Sequence, residues 1–177
     1  PEFTMLEYNE AYLDYVDYMD LTEDMLRTVA EEVTGSAVVE YQGHQIDLAA
    51  PFRRLSLGEA VRSHHGTLSE SDCKDAAVLR RHLSSTGVDS SPNSDVGELL
   101  LEVFEQSVEA TLIQPTFITG HPVSVSPLSR RSAGDPNVAD RFELFIAGRE
   151  LANGFSELND PQDQEERLRR QASEKAG

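Results

Sequence analysis

The sequence predicts an α+β domain in which an antiparallel sheet carries a helical insertion. Three stretches predict it. Over residues 141–147, Phe142, Leu144 and Ile146 alternate with Glu143, Phe145 and Ala147, the period of a strand, and after Ala147-Gly148-Arg149 the chain runs back toward Glu157 as the second arm of a hairpin. Between residues 53 and 114 the pattern changes to helical spacing with capping residues. Two short runs, 116–119 and 123–125, then return the chain to the sheet.

Taken in order, residues 3–9 read as a strand, with Phe3, Met5, Glu7 and Asn9 on one face and Thr4, Leu6 and Tyr8 on the other. Residues 17–34 read as a helix: Leu21, Met25, Val29 and Val33 recur at every fourth position, Asp20 with Glu23 fits a capping pair, and Gly35 is the stop. Residues 38–42 and 45–48 form a hairpin about Gly43-His44, closed by Pro51. Ser56 with Glu59 has the spacing of a capping box and starts a short helix. Ser71 or Asp72 starts another, with Ala76, Leu79 and Leu83 on one face and Gly87 beyond its end. After a Ser/Pro/Asn loop at 89–94, a longer helix from Asp95 carries Val96, Leu99, Leu100, Val103, Phe104 and Val108 until Pro115 stops it. Residues 129–137 are a loop. Asp160-Pro161 caps a last helix, 162–175, whose almost only large apolar residue is Leu168, so that helix is solvated or packs on other sequence.

The 177 residues suffice for one domain with a sizeable core. A net charge of −17 argues against this chain holding a polyanion by itself and is compatible with attracting a cation; a solvated acidic surface explains most of it. Cys73 is the single cysteine, which excludes a disulfide framework and points to a reducing compartment. No apolar run approaches membrane-span length and no signal-peptide pattern opens the chain. His64-His65 suits a helix end, and Cys73 reads as a small packed thiol rather than a nucleophile.

The acids of the hairpin are different, because carboxylates are depleted from strands and need a partner when covered. Glu143 and Glu150 stand on its two arms, where they either share a divalent cation such as magnesium or pair with Arg141 or Arg149. Strict alternation sends Glu150 to the face opposite Asn153 and Glu157, so a common site requires a bulge or strong twist near Leu151-Ala152.

Residues 141–160 (RFELFIAGRELANGFSELND) resemble the region just before the third signature motif of class II lysyl-tRNA synthetases, and residues 1–12 (PEFTMLEYNEAY) resemble the second half of their second motif. Gln114-Pro115-Thr116-Phe117-Ile118 and Val125-Ser126-Pro127-Leu128 fall where that family has similar segments, and the resemblance is weak only between Arg53 and Val96. It implies that 1–177 is part of a class II catalytic domain, with 53–114 a mainly helical insertion. It also implies ATP-dependent activation of lysine, transfer to tRNA(Lys), magnesium as cofactor, a homodimeric parent and a cytoplasmic location.

By the same resemblance Glu143 and Glu150 hold the metal. Asn153 donates to the lysine carboxylate, Phe155 covers the aliphatic stem, Glu157 takes the ammonium, Glu7 is a second acid of that pocket, and Phe3 stacks on adenine. No covalent catalytic residue is expected. Without the resemblance, Phe3 and Phe155 read as core aromatics and Glu7 as an edge-strand charge. Asn9 departs from the family, which usually has a tyrosine there that touches the substrate ammonium. The family's upstream nucleic-acid-binding domain, its first motif and its third motif are not in this sequence, so a piece of a longer, alone inactive enzyme is expected. The alternatives are a paralogous ligase that attaches lysine-like groups to a translation factor, and a non-catalytic acidic interaction module.

Overall fold

The computed structural model describes residues 2–176; Pro1, the first residue of the opening motif, lies outside them. Residues 2–13 form no helix or strand, contrary to the alternation at 3–9. A strand needs a ladder partner, and among the described residues nothing pairs with this segment. Tyr8 turns instead to the first helix, stacking on Tyr18 at 5.5 Å and sharing a 2.9 Å hydrogen bond with Thr22 Oγ1.

That helix, α1, spans Tyr15–Thr34 and begins at a capping box of Asp14 and Asp17, not at Asp20 and Glu23. The latter pair sits inside the helix and engages Arg54 and Arg27. Gly35 ends it with φ 78°, as expected. The buried stripe is Tyr15, Met19, Thr22, Leu26 and Ala30, while Leu21, Val29 and Val33 are 41%, 50% and 77% exposed. Steps of four alone drift about 40° each around a helix, whereas the buried set mixes steps of three and four and stays on one side.

Strands β1 (Val38–Tyr41) and β2 (His44–Asp47) pair through a turn at Gln42-Gly43, with φ 50° and 80°, one residue earlier than Gly43-His44. The main sheet runs in the order β3 (Arg53–Ser56), β4 (Thr116–Thr119), β5 (Arg141–Ile146), β6 (Arg149–Phe155), with β3–β4 parallel and the other pairs antiparallel. A parallel pair cannot be joined by a tight turn. The crossover is made by α2 (Leu57–His65), α3 (Ala76–Ser85) and α4 (Val96–Ser107), so Arg53 itself belongs to the sheet and the helices begin at Leu57.

The boxes Ser56/Glu59 and Asp95/Glu98 cap α2 and α4; Asp75 caps α3, and Asp72–Lys74 is only a 3-10 turn before it. Helix α4 stops at Ser107, well short of Pro115, in a 3-10 turn at Glu109–Thr111. Val123–Val125 is likewise a 3-10 turn rather than a strand, entered from Pro122.

Alternation along β4 and β5 divides the core between two faces. Ile118 and Phe145 pack under α2–α4, where Phe104 meets Phe145 edge to face at 5.5 Å. Phe117, Phe142, Leu144 and Ile146 pack under α1 and the β1–β2 hairpin. Gly154 is required on that second face, since a Cβ there would lie 2.5 Å from the Phe142 ring.

Helix α5 (Pro161–Ala176) starts at Asp160, whose carboxylate accepts from the Gln162 and Asp163 amides. It is neither wholly solvated nor held by Leu168, which is 45% exposed. It docks through Arg167, only 6% exposed, which donates to the carbonyls of Ser126 and Ser129 and pairs with Asp163.

Candidate functional site

The β5–β6 hairpin turns at Ala147 and Gly148, both with positive φ, and its tip docks by backbone bonds to the carbonyls of Ile113 and Leu112. From the tip, Ile146 faces Arg149 and Phe145 faces Glu150, after which Leu144 faces Ala152. Leu151 is the extra residue of a bulge. Residues directly opposite share a face. Glu143 opposite Asn153, and Arg141 opposite Phe155, therefore stand on the same face as Phe145 and Glu150. Leu151 drops out of that set, and Glu157 lies past the end of β6.

Glu157 is positioned by backbone pairing on both sides. It bridges to Ser129, while Arg130 N donates to Ser156 O, Leu158 N to Leu128 O and Ser156 N to Asp140 O. Ser156 Oγ accepts from Tyr15 N at 3.1 Å, which ties the start of α1 to the same place.

A groove of about 1490 Å³ lies between the opening segment, α1 and β6. Phe3, Glu7, Asn9, Glu150, Asn153, Phe155 and Glu157 all line it. Phe155 is half-buried; Glu7, Glu150, Asn153 and Glu157 are exposed, and Phe3 is 83% exposed with no aromatic partner among the described residues. A groove lined by carboxylates and a half-buried ring has the chemistry that suits a long apolar stem with a cationic tip. Glu143 is not among the lining residues.

Glu143 is largely covered and pairs with Arg141 through Oε1. Burial pushes its carboxyl up to about 7 although the Arg141 guanidinium pulls the other way, and Glu150, Glu105 and Glu109 push it further. Burial raises Glu105 and Glu109 as well, with Glu150 adding to the second. Glu150 itself has no cationic partner among the described residues. Behind Glu143 lies His121, wholly buried, with Nε2 3.1 Å from Ile118 O and 3.9 Å from Glu143 Oε2. Burial and the nearby Arg141 lower the imidazole to about 4, so it is neutral, and its Nδ1 has no partner among the described residues.

The ion pair expected as one alternative thus exists for Glu143, on its own strand, and not for Glu150. Among the described residues no three acids, histidines or cysteines converge as a metal site. A cation here would take the two hairpin carboxylates and fill its shell with water or phosphate oxygens, as magnesium does. The excess of acids over cations around Glu150 fits such an ion.

Sequence reasoning named Arg141 only as a possible ion-pair partner of the hairpin acids and missed its bond to Asn153; it missed His121 and Arg167 altogether. The Arg141–Glu143 pair was legible, since a residue two before Glu143 must share its face. His121 and Arg167 gave no signal, because their roles depend on carbonyls brought from distant loops. Cys73 is buried, and burial raises its thiol, as expected of a packed cysteine. His65 bonds Ser107 Oγ at 2.8 Å and its ring contacts His64 and His82, a packing cluster at the end of α2. Among the described residues no helix is long and apolar enough to cross a membrane.

Residues 1–176 match the family model for class II tRNA synthetases (D, K and N). The chain is 54% identical over its whole length to the lysine–tRNA ligase of Xanthomonas campestris pv. campestris (strain 8004), covering 35% of that protein. It is 49% identical over 175 residues to that of Thioalkalivibrio sulfidiphilus (strain HL-EbGR7), again 35% of the relative. With the lysine–tRNA ligase of Staphylococcus haemolyticus (strain JCSC1435) it shares 51% over 179 aligned residues. The chain spans about a third of the length of these relatives.

Proposed function

From a chain that belongs to the class II tRNA synthetases (D, K and N), we infer part of the catalytic domain of a lysine–tRNA ligase, with residues 53–114 as its mainly helical insertion. The observation that supports this reading is the groove lined by Glu7 and Glu157 together with Phe155 and Asn153. Lysine would lie with its stem on Phe155 and its ammonium between the acids, while the Asn153 amide meets its carboxylate.

In that pose the lysine carboxylate oxygen attacks the α-phosphorus of ATP. The new C(O)–O–P bond forms as the bond to the bridging oxygen breaks, and pyrophosphate leaves with that electron pair. Glu143 and Glu150 would hold magnesium, whose charge would offset that of the phosphates. The chain's own contribution is to position the amino acid and to exclude other side chains from the acids, rather than to form a covalent intermediate. Phe3 would cover the adenine. The aminoacyl group then passes to tRNA(Lys), in a homodimeric cytoplasmic enzyme.

The test is lysine-dependent ATP–pyrophosphate exchange by a full-length protein carrying this chain, followed by charging of tRNA(Lys). Exchange with lysine and charging of the tRNA support the reading. Exchange without charging, but with lysylation of a protein acceptor, assigns the chain to a protein-modifying ligase. No exchange with lysine overturns it.

A further inference from the structure

Arg141 touches both arms of the hairpin and the loop behind it. Nη1 donates to Val125 O at 3.1 Å and to Ser126 Oγ at 3.0 Å, Nη2 donates to Glu143 Oε1, and Nε donates to Asn153 Oδ1 at 3.2 Å. Its side chain is only 14% exposed, so the guanidinium is held among these acceptors rather than in water. The anchoring loop is fixed in turn, since Ser126 O accepts from the buried Arg167 at 3.1 Å.

We propose that Arg141 is a positioning residue that sets the amide of Asn153, with Oδ1 turned to the guanidinium and Nδ2 turned to the groove as a donor for the carboxylate of the bound amino acid. This rests on the reading of the chain as part of a lysine–tRNA ligase.

The chemistry is one of matched donors. A guanidinium carries donors and no acceptor, so a carboxamide beside it can be satisfied only through its oxygen. The NH2 end is then the end left over, and among the described residues it has no acceptor. A flipped amide would set N–H against N–H at Arg141 and present an oxygen to an anion. Asn153 unaided can turn either way and distinguishes a carboxylate poorly from a neutral amide. Held by Arg141, it offers the groove a donor only. Arg141 does not reach the ligand; it acts through Asn153. By occupying Oε1 of Glu143 it also leaves Oε2 of that carboxylate available.

The experiment measures equilibrium binding of lysine and of lysinamide by calorimetry, without ATP or magnesium, to the full-length protein carrying this chain. Lysinamide keeps the stem and both amines and lacks the carboxylate. The wild type is expected to favour lysine, and Arg141→Met should reduce that preference about tenfold or more, the weight of a hydrogen bond to a charged group. Arg141→Lys, which keeps the charge but cannot fork between Glu143 and Asn153, should fall between. In an Asn153→Ala background, Arg141→Met should reduce the preference no further. An undiminished preference in Arg141→Met, or a further tenfold loss in the Asn153→Ala background, overturns the positioning role.

Asn153→Asp at the exposed end of the pair serves if Arg141→Met does not fold. It turns an oxygen to the groove and should abolish the preference for lysine; a retained preference also overturns the proposal. A wild type that binds no lysine rejects the ligase reading itself, whereas lysine binding with an unaltered preference in the Arg141 variants rejects only the role of Arg141.

Discussion

Glu143 stands directly opposite Asn153 in the β5–β6 ladder, although Glu150, nearer the tip, also shares that face. In an unbroken ladder one of these relations would fail, because side chains alternate with every residue. The extra residue at Leu151 resolves the conflict by resetting the alternation between Glu150 and Asn153.

Deleting Leu151 should therefore leave an unbroken ladder in which Glu150 still faces Phe145 and Asn153 still faces Glu143. Inserting one alanine between Ala152 and Asn153 should instead carry Asn153 and Phe155 to the opposite face, with Asn153 in place of Gly154 against the Phe142 ring. The full-length insertion variant should lose lysine-dependent pyrophosphate exchange by at least a hundredfold, on the order of 3 kcal/mol. Exchange within threefold of wild type would show that the register of the hairpin does not assemble the site.

Burial leaves Glu143 and His121 with opposite proton balances. Glu143 titrates at about 7 when folded against 4.5 ordinarily, so the folded state binds more protons in that window and stability falls as pH rises through it. His121 titrates at about 4 when folded against 6.5 ordinarily, so the unfolded state binds more protons there and stability rises with pH. The two slopes oppose each other. Glu143→Gln should uncover a gain of stability between about pH 4 and 6.5, and His121→Asn a loss between about pH 4.5 and 7, each on the order of 2–3 kcal/mol. Urea unfolding across pH checks both, and parallel profiles for wild type and variants would remove both residues from the proton balance.

Arg167→Ala strips helix α5 of its buried anchor, leaves the carbonyl of Ser129 without its donor and leaves that of Ser126 with the Ser129 amide alone. A loss of about 2–4 kcal/mol in docking is expected. Because α5 brings little apolar surface, the loss should be local. Hydrogen exchange should show the amides of α5 and of the Ser126–Ser129 loop opening while β4 and β5 stay protected. Unchanged protection in α5 would mean that the helix holds without its arginine.

The α+β class was legible because its signals are local. The capping box at Ser56, the helix start at Asp95, the hairpin turn after Ile146 and the helical spacing within 53–114 each depend on neighbours in sequence. What escaped depends on partners. The opening segment alternates like a strand but has nothing to pair with, α1 buries Met19 and Ala30 rather than Val29 and Val33, and Val123–Val125 closes into a turn behind Pro122. At the site, alternation alone exposed the tension between Glu150 and Asn153 and where a bulge must relieve it. It gave no hint that Arg141 would join Glu143 to Asn153.

The final prediction concerns Glu157. A lysine side chain is an apolar stem with a point charge at its tip, and a groove that covers the stem with Phe155 must supply an anion once water is displaced. Glu157 is free of cationic partners among the described residues, and its backbone is held between Ser129 and the Leu158–Leu128 bond, so its carboxylate is available without being loosely placed. Glu157→Gln keeps the shape and removes the charge. In the full-length protein it should weaken lysine use by about 3 kcal/mol, roughly a hundredfold, because the substrate ammonium loses one of its two acids and keeps only Glu7. The apparent affinity for ATP should change little, since Glu157 addresses the amino acid rather than the phosphates. Pyrophosphate exchange titrated separately with each substrate distinguishes these effects. An equal loss for ATP, or an unchanged requirement for lysine, would return Glu157 to the structural acids of an already acidic surface.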